Sequence, residues 1–183
     1  DAAPTKSRKV IVSERDRHVI CFGANPLGSN EQDRLLIRFS SQENPFFWTP
    51  TATNTAGDLR VGSGSEIITA VKTRREMIVL TDTSVFSMQF IGPPFTFGIN
   101  QLASNITVRG FNSAVAVGDA VFWMGYDRFY IYDGRVQVIP CSVRDHVFQN
   151  FNETQTDKIY AGVNSAFGEV FWFYPSQTNA LEN

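Results

Sequence analysis

The chain has 183 residues, 43% of them hydrophobic and 19% charged, enough to bury one sizeable core and too short for two independent domains to be expected. A formal net charge of −2 and a pI near 5.7 give no whole-chain reason to expect nucleic-acid binding. No run approaches the roughly 18–20 apolar residues of a membrane-spanning helix, and the polar opening, residues 1–9, is not a signal peptide.

Residues 1–17 are polar and charged, with Lys6, Arg8, Lys9, Arg15 and Arg17 set among Glu14 and Asp16. They read as a solvated linker or an edge strand over Val10-Ile11-Val12, with a basic arm as the functional alternative. A hairpin follows from 18–22 and 35–39 around a long loop, 23–34, whose Gly, Pro and Asn oppose regular structure. Phe46, Phe47 and Trp48 then stand between Pro45 and Pro50, which interrupt strand pairing on both sides. The Thr-, Gly- and Ser-rich stretch 51–66 reads as a connector.

Further strands are predicted at 67–71, 77–80 and 85–86, turning at Asp82-Thr83. Pro93 and Pro94 exclude a central strand over 91–98, which reads as a surface loop carrying Phe95 and Phe97. The next strands are 114–117, 121–124 and 129–131, turning at Tyr126-Asp127. Asp133-Gly134, with Val136 and Val138 after it, predicts a two-residue hairpin, because Gly accepts the positive φ of a primed turn. The one good helix candidate is 142–152. Ser142 is placed to cap it, Asp145 completes a capping-box-like pair, and Val143, Val147, Phe148 and Phe151 form an apolar stripe. A last hairpin is predicted from 159–163 and 170–173.

The core runs return. They begin at Leu35, Met77, Val121 and Val170, in steps of 42, 44 and 49 residues. At a constant offset of 44, Met77, Ile78, Val79, Leu80, Val85 and Phe86 fall on Val121, Phe122, Trp123, Met124, Phe129 and Tyr130. Strands repeating at this period predict an all-β chain built as an incomplete β-propeller of about four antiparallel units, with one short helix near 142–152. The middle two units are read as three-stranded. The division expected is a polar leading segment, 1–17, and a partial propeller domain, 18–183. The chain stops within the fourth unit, which reads as a fragment of a longer protein, since an unclosed array leaves strand edges exposed.

No residues stand out as catalytic, cofactor-binding or metal-ligating, and the chain is not expected to be an enzyme. His18 and His146 are the only histidines, and no His/Cys/Asp cluster has metal spacing. Ser142, Asp145 and His146 lie too close along one helix turn to converge on a substrate, and capping explains the first two. Gly62-Ser63-Gly64-Ser65 resembles a phosphate loop in composition only and reads as a flexible turn. Cys21 and Cys141 are expected to be reduced, buried small hydrophobes. The sequons at Asn105 and Asn152 carry meaning only in a secreted protein. The interaction candidates are aromatic: Phe46, Phe47, Trp48, Phe95 and Phe97, either plugging gaps between blades or anchoring a subunit contact. Arg60, Arg74, Arg75 and Arg109 are weaker candidates for facing DNA, against the alternative of surface ion pairs.

Four strings in order, N-P-F-F-W-T-P-T-A-T-N-T-A-G from Asn44, G-S-G-S-E-I-I-T-A-V from Gly62, Q-F-I-G-P-P-F-T-F-G from Gln89 and Y-D-G-R-V-Q-V-I-P-C-S-V-R-D-H-V-F from Tyr132, resemble the tail proteins of short-tailed bacteriophages. These are the propeller-bearing nozzle, tail tubular or packaged-DNA stabilisation proteins, and the likeness spans residues 18–174. The resemblance implies a virion tail protein assembled in the host cytoplasm into a ring, six-fold in that family, below the portal and its adaptor. It further implies that such a ring retains packaged DNA and seats fibres or a needle, with no catalytic residues. The chain departs from the family in lacking its remaining blades and tube-forming domains. The alternative is a carbohydrate- or receptor-binding propeller of the virion, in which exposed Trp48, Trp123 or Trp172 would stack on sugar rings.

Overall fold

A strand covered on one face alternates apolar with polar residues, whereas a strand covered on both faces is apolar throughout. Residues Met77–Thr81 are of the second kind. Met77 and Val79 point into one core, Ile78 and Leu80 into another, and all five residues are buried. A strand of this kind requires a layer on each side of its sheet, and that requirement sets the architecture.

The computed structural model describes residues 2–177; residue 1 and the last part of the expected domain, 178–183, lie outside the described residues. The described residues are mostly β, folded into four open antiparallel sheets with two short helical segments. Strands β1 (Lys9–Ser13), β2 (His18–Phe22), β3 (Leu36–Phe39) and β4 (Gly57–Arg60) form the first sheet. The second holds β5 (Ile67–Lys72), β6 (Met77–Thr81), β7 (Ser84–Gly92) and β8 (Thr96–Ser104). The third holds β9 (Ala114–Val117), β10 (Ala120–Met124), β11 (Phe129–Tyr132) and β12 (Val136–Ile139). After helix α1 (Arg144–Gln149) and a 3₁₀ segment (Glu153–Lys158), β13 (Tyr160–Asn164) and β14 (Glu169–Phe173) pair as the fourth. Within each four-stranded sheet the strands neighbour one another in chain order; the second and third sheets are joined by short turns, whereas the first carries the long loops 23–35 and 40–56.

The sheets stack in the same order. Ile20, Phe22, Ile37 and Phe39 of the first meet Ile67, Val79, Phe86, Met88 and Phe97 of the second. The opposite face of the second sheet, through Ile78, Leu80 and Val85, meets Val121, Trp123, Tyr130 and Tyr132 of the third. Met124 and Phe129, on the far face of the third, pack with Val147, Phe151, Ile159 and Trp172. The first strands of successive sheets lie beside one another, β1 by β5, β5 by β9 and β9 by β13.

Several local expectations change. The second and third sheets have four strands rather than three, because 96–104 and 136–139 supply edge strands. Pro93 and Pro94 occupy only the tip of the β7–β8 hairpin, where no ladder N–H is required, so Phe97 lies in a strand and not in a loop. The stretch 51–66 is not a plain connector, since β4 pairs with β3 inside it. Gly57 permits this: a Cβ there would sit 2.8 Å from the Phe39 ring paired opposite. The same device recurs at Gly162, where a Cβ would sit 2.5 Å from the ring of Phe171. The Asp133-Gly134 hairpin has a three-residue loop, 133–135, which sets Val136 opposite Tyr132 and brings both toward the same core. Gly134 supplies φ +110° there. The turn at Gly62-Ser63-Gly64-Ser65 is tied down, with Ser63 hydrogen-bonded to Ser84 and Asp82 accepting from the Ser65 amide.

The helix is shorter than 142–152 and lacks its expected cap. Val143 holds the N-cap position with no side-chain cap bond, and Ser142 does not serve. Asn152 instead caps the 3₁₀ segment, accepting from the Thr154 amide at 3.1 Å, and is buried in doing so. The leading segment contributes β1, paired along its whole length with β2. Both cysteines are free; Cys21 is buried with its thiol pushed up to about 11 by desolvation, while Cys141 is only half-buried.

Trp123 is fully buried, stacked on Tyr130 at 5.3 Å, with its indole N–H donating to the Thr107 carbonyl at 3.2 Å. Trp123→Ala should lower stability by about 3–5 kcal/mol in urea denaturation. A loss below about 1 kcal/mol would show that the contact between the second and third sheets is not what holds the fold.

Candidate functional site

The aromatic candidates divide into two groups. Trp48 is 4% exposed and packs with Cys21, Ala24 and Val19 against the outer face of the first sheet. Its indole N–H donates to the Pro45 carbonyl at 2.7 Å, so the loop 41–50 closes on itself through this ring. Phe97 is buried among Phe39, Phe90 and His18, with ring centroids 4.9–5.6 Å away. These two are core residues. Phe46 (75% exposed), Phe47 (55%) and Phe95 (73%) point outward. Phe95 stands at the β7–β8 tip beside Ile91, next to an open groove of about 420 Å³ between β4 and β8 that includes Pro50, Ala56, Leu59 and Ile99.

A further aromatic surface escaped the sequence reading. On the fourth sheet, the pairing of Tyr160 with Phe173 and of Gly162 with Phe171 sets these side chains on the face away from the third sheet. Phe171 and Phe173 meet edge to face at 5.3 Å, and Phe173 is 66% exposed. The signal was present as phenylalanine at alternate positions, but the repeat alignment makes 170–173 look like a strand covered on both sides. Only its Trp172 face is covered, and the Trp172 indole donates to the Ser113 carbonyl at 2.9 Å.

The arginines also separate. Arg109 does not face solvent, and hence not DNA: its side chain is 1% exposed. Its guanidinium lies 3.8 Å over Phe151 and 5.0 Å over Tyr126, donates to the Tyr126 carbonyl at 3.0 Å and pairs with Glu153 at 2.6 Å. It thereby joins the β8–β9 connection to the 3₁₀ segment through charge-assisted bonds and ring stacking. Arg60 pairs with Asp33 at 2.9 Å and Arg75 with Asp119 at 3.3 Å, both at the surface. Arg74 is exposed. A fifth arginine, Arg38, interrupts the apolar strand β3 and is buried, donating to the backbone carbonyls of Ala2, Asn25 and Trp48. It pins three loops to the first sheet.

Two titratable groups, His18 buried and Glu76 half-buried, hold sheets together. His18 is enclosed by Phe39, Phe90 and Phe97, and its Nδ1 lies 2.5 Å from the Asp16 carbonyl. A carbonyl only accepts, so Nδ1 carries the proton and Nε2 accepts from the Thr55 hydroxyl at 3.1 Å. Burial holds the imidazole pKa below its ordinary 6.5, outweighing the raising effect of the Asp16 carbonyl. Glu76 receives the Tyr132 hydroxyl at 2.7 Å and Gln89 at 3.0 Å, together with the Ser87 hydroxyl. Burial works to raise the Glu76 pKa, but these donors and Arg75 prevail and keep it below 4.5, while Tyr132 is pushed up to about 12 by desolvation and by Glu76 itself. Asp145 pairs with Arg144, not with Ser142 or His146. Among the described residues no group of three or more His, Cys, Asp or Glu could hold a metal ion, and no helix is long and apolar enough to cross a membrane.

The chain matches no protein-family model and no curated protein.

Trp48→Ala should cost about 3–5 kcal/mol in chemical denaturation, whereas Phe46→Ala and Phe47→Ala should each stay within roughly 0.5 kcal/mol. Equal effects at all three positions would contradict this division into one core residue and two surface residues.

The pH response has a definite sign. Both His18 and Glu76 have folded-state pKa values below their unfolded ones, so the unfolded chain binds more protons and acid destabilises. The His18 contribution is present above pH 6.5 and is lost as pH falls through its lower folded value; that of Glu76 is lost in the same sense below 4.5. The urea midpoint should therefore fall in two stages between pH 7 and pH 3, and Glu76→Gln should flatten the second. A midpoint constant over that range would refute the assignment.

Proposed function

We propose that this chain is a non-enzymatic structural component of a short-tailed phage tail, an incomplete β-propeller belonging to a nozzle ring below the portal and adaptor. The observation that carries the reading is the fourth sheet. Its aromatic face, Tyr160, Phe171 and Phe173, is of the kind that every other inter-sheet contact in the molecule covers, and here it is open. Successive sheets with adjacent first strands support a radial arrangement of blades, to which a further sheet would add on this face. Exposed aromatics at Phe46, Phe47 and Phe95 support contacts with neighbouring copies, the adaptor, or fibre or needle proteins. The four sequence strings supply the phage context, and with it location in the virion and retention of packaged DNA by the ring as a whole.

The alternative, a carbohydrate- or receptor-binding virion propeller, draws no support from its tryptophans, since Trp48 and Trp123 are buried and Trp172 is half-buried with its N–H engaged.

Quantitative peptide mass spectrometry of gradient-purified, DNA-filled virus particles tests the proposal. Peptides of this chain should appear at a low, fixed ratio to the major capsid protein. Their absence from particles that retain other tail proteins would remove the tail reading.

A further inference from the structure

Three of the sheets' first strands carry small side chains along one groove, Thr69 and Ala70 on β5, Ala114 and Ala116 on β9 and Ala161 on β13, while β1 contributes Lys9 and Ile11. Small side chains leave the floor between them open. Two adjoining cavities of about 320 and 440 Å³ run along it, sharing Lys72 and Ala116 in their walls. Lys9, Arg15, Lys72 and Arg74 line them, against Glu14 as the one carboxylate. In a chain of net charge −2, four cations to one anion in a concave site is a local reversal of sign.

Their partners sharpen the point. Lys72 pairs with Glu14 at 3.3 Å, and Arg75, just outside, is taken up by Asp119. Among the described residues Lys9, Arg15 and Arg74 have no carboxylate partner. Arg15 donates only to the Arg74 carbonyl, and the Lys9 ammonium lies 4.7 Å over the ring of Phe111, on the connection between the second and third sheets. Phe111 and the 57%-exposed Tyr160 supply aromatic surface on the walls of the same groove. Unpaired cations along a groove with aromatic faces beside them are the elements that hold a flexible phosphate strand, charge on charge and base on ring.

We propose that this axial groove binds single-stranded nucleic acid, with Arg74, Arg15 and Lys9 contacting phosphates and Tyr160 offering a stacking face. The inference stands on the groove's own residues and is independent of any virion assembly. Of the four arginines singled out from the sequence, only Arg74 lines the groove, since Arg60 and Arg75 are paired and Arg109 is buried.

The test is fluorescence anisotropy of a labelled twelve-nucleotide oligo-dT titrated with the purified chain. Binding should be saturable at 50 mM salt and weaken about 20-fold by 200 mM, the dependence for roughly three neutralised phosphates. Lys9→Glu combined with Arg74→Glu should weaken binding at least about tenfold, while Arg135→Glu, on the outer β11–β12 loop, should leave it unchanged. Circular dichroism checks folding, and the exposed single variant Arg74→Gln replaces the double variant if the latter unfolds. Tyr160→Ala should weaken oligo-dT but not inorganic polyphosphate. No saturable binding at 50 mM salt, or equal loss with Arg135→Glu, overturns the proposal. Equal affinity for polyphosphate with no effect of Tyr160→Ala overturns the nucleic-acid assignment in favour of a general polyanion site.

Discussion

Burial of the middle sheets on both faces is the constraint from which the rest of the structure follows. A β-strand sends successive side chains to opposite sides, so a single run such as Met77-Ile78-Val79-Leu80 feeds two cores at once. Two consecutive sheets built this way cannot be satisfied by one partner layer. The second needs the first and the third, and the third needs the second and the Trp172 layer behind it. Stacking in chain order keeps the sheets that must touch adjacent in sequence.

Polar groups inside the stack are placed where the layers meet or where loops are pinned, and each has partners. His18 lies among rings contributed by two sheets, Glu76 ties the second sheet to Tyr132 of the third, and Arg109 fastens the entrance of the third sheet to the 3₁₀ segment. Arg38 serves the outer face of the first sheet in the same way, gathering the carbonyls of Ala2, Asn25 and Trp48. These four side chains are thus engaged in construction, while apolar rings at the hairpin tips and fourth sheet, and cations in the groove along β5 and β9, face outward.

Phe173 and Phe95 on one side and Arg74 and Lys9 on the other suit different partners. Aromatic faces without a covering layer suit another protein surface, where burial of rings supplies the affinity. The groove is lined by small residues with long cations at its rim, which suits a charged, narrow ligand. The two surfaces meet at Tyr160 on β13, which lines the groove and, through its pairing with β14, borders the aromatic face.

The strand content, the repeat near every 45 residues and the hairpins at Asp82-Thr83 and Asp133-Gly134 were legible in the sequence, because side-chain alternation and turn chemistry act over a few residues. Edge strands β4 and β8 were harder to read, since an edge strand tolerates Gly, Pro and polar residues that a covered strand excludes. The fate of single aromatics and arginines was not legible at all. Phe46 and Trp48 sit two residues apart in one loop, yet one is exposed and the other is core; Arg74 is free and Arg109 is encased. Composition and spacing determined which segments form strands and how often they recur. Which faces those strands cover, and which cations are left without a partner, depends on contacts between residues up to a hundred positions apart, such as Lys9 over Phe111, and only the tertiary structure decides them.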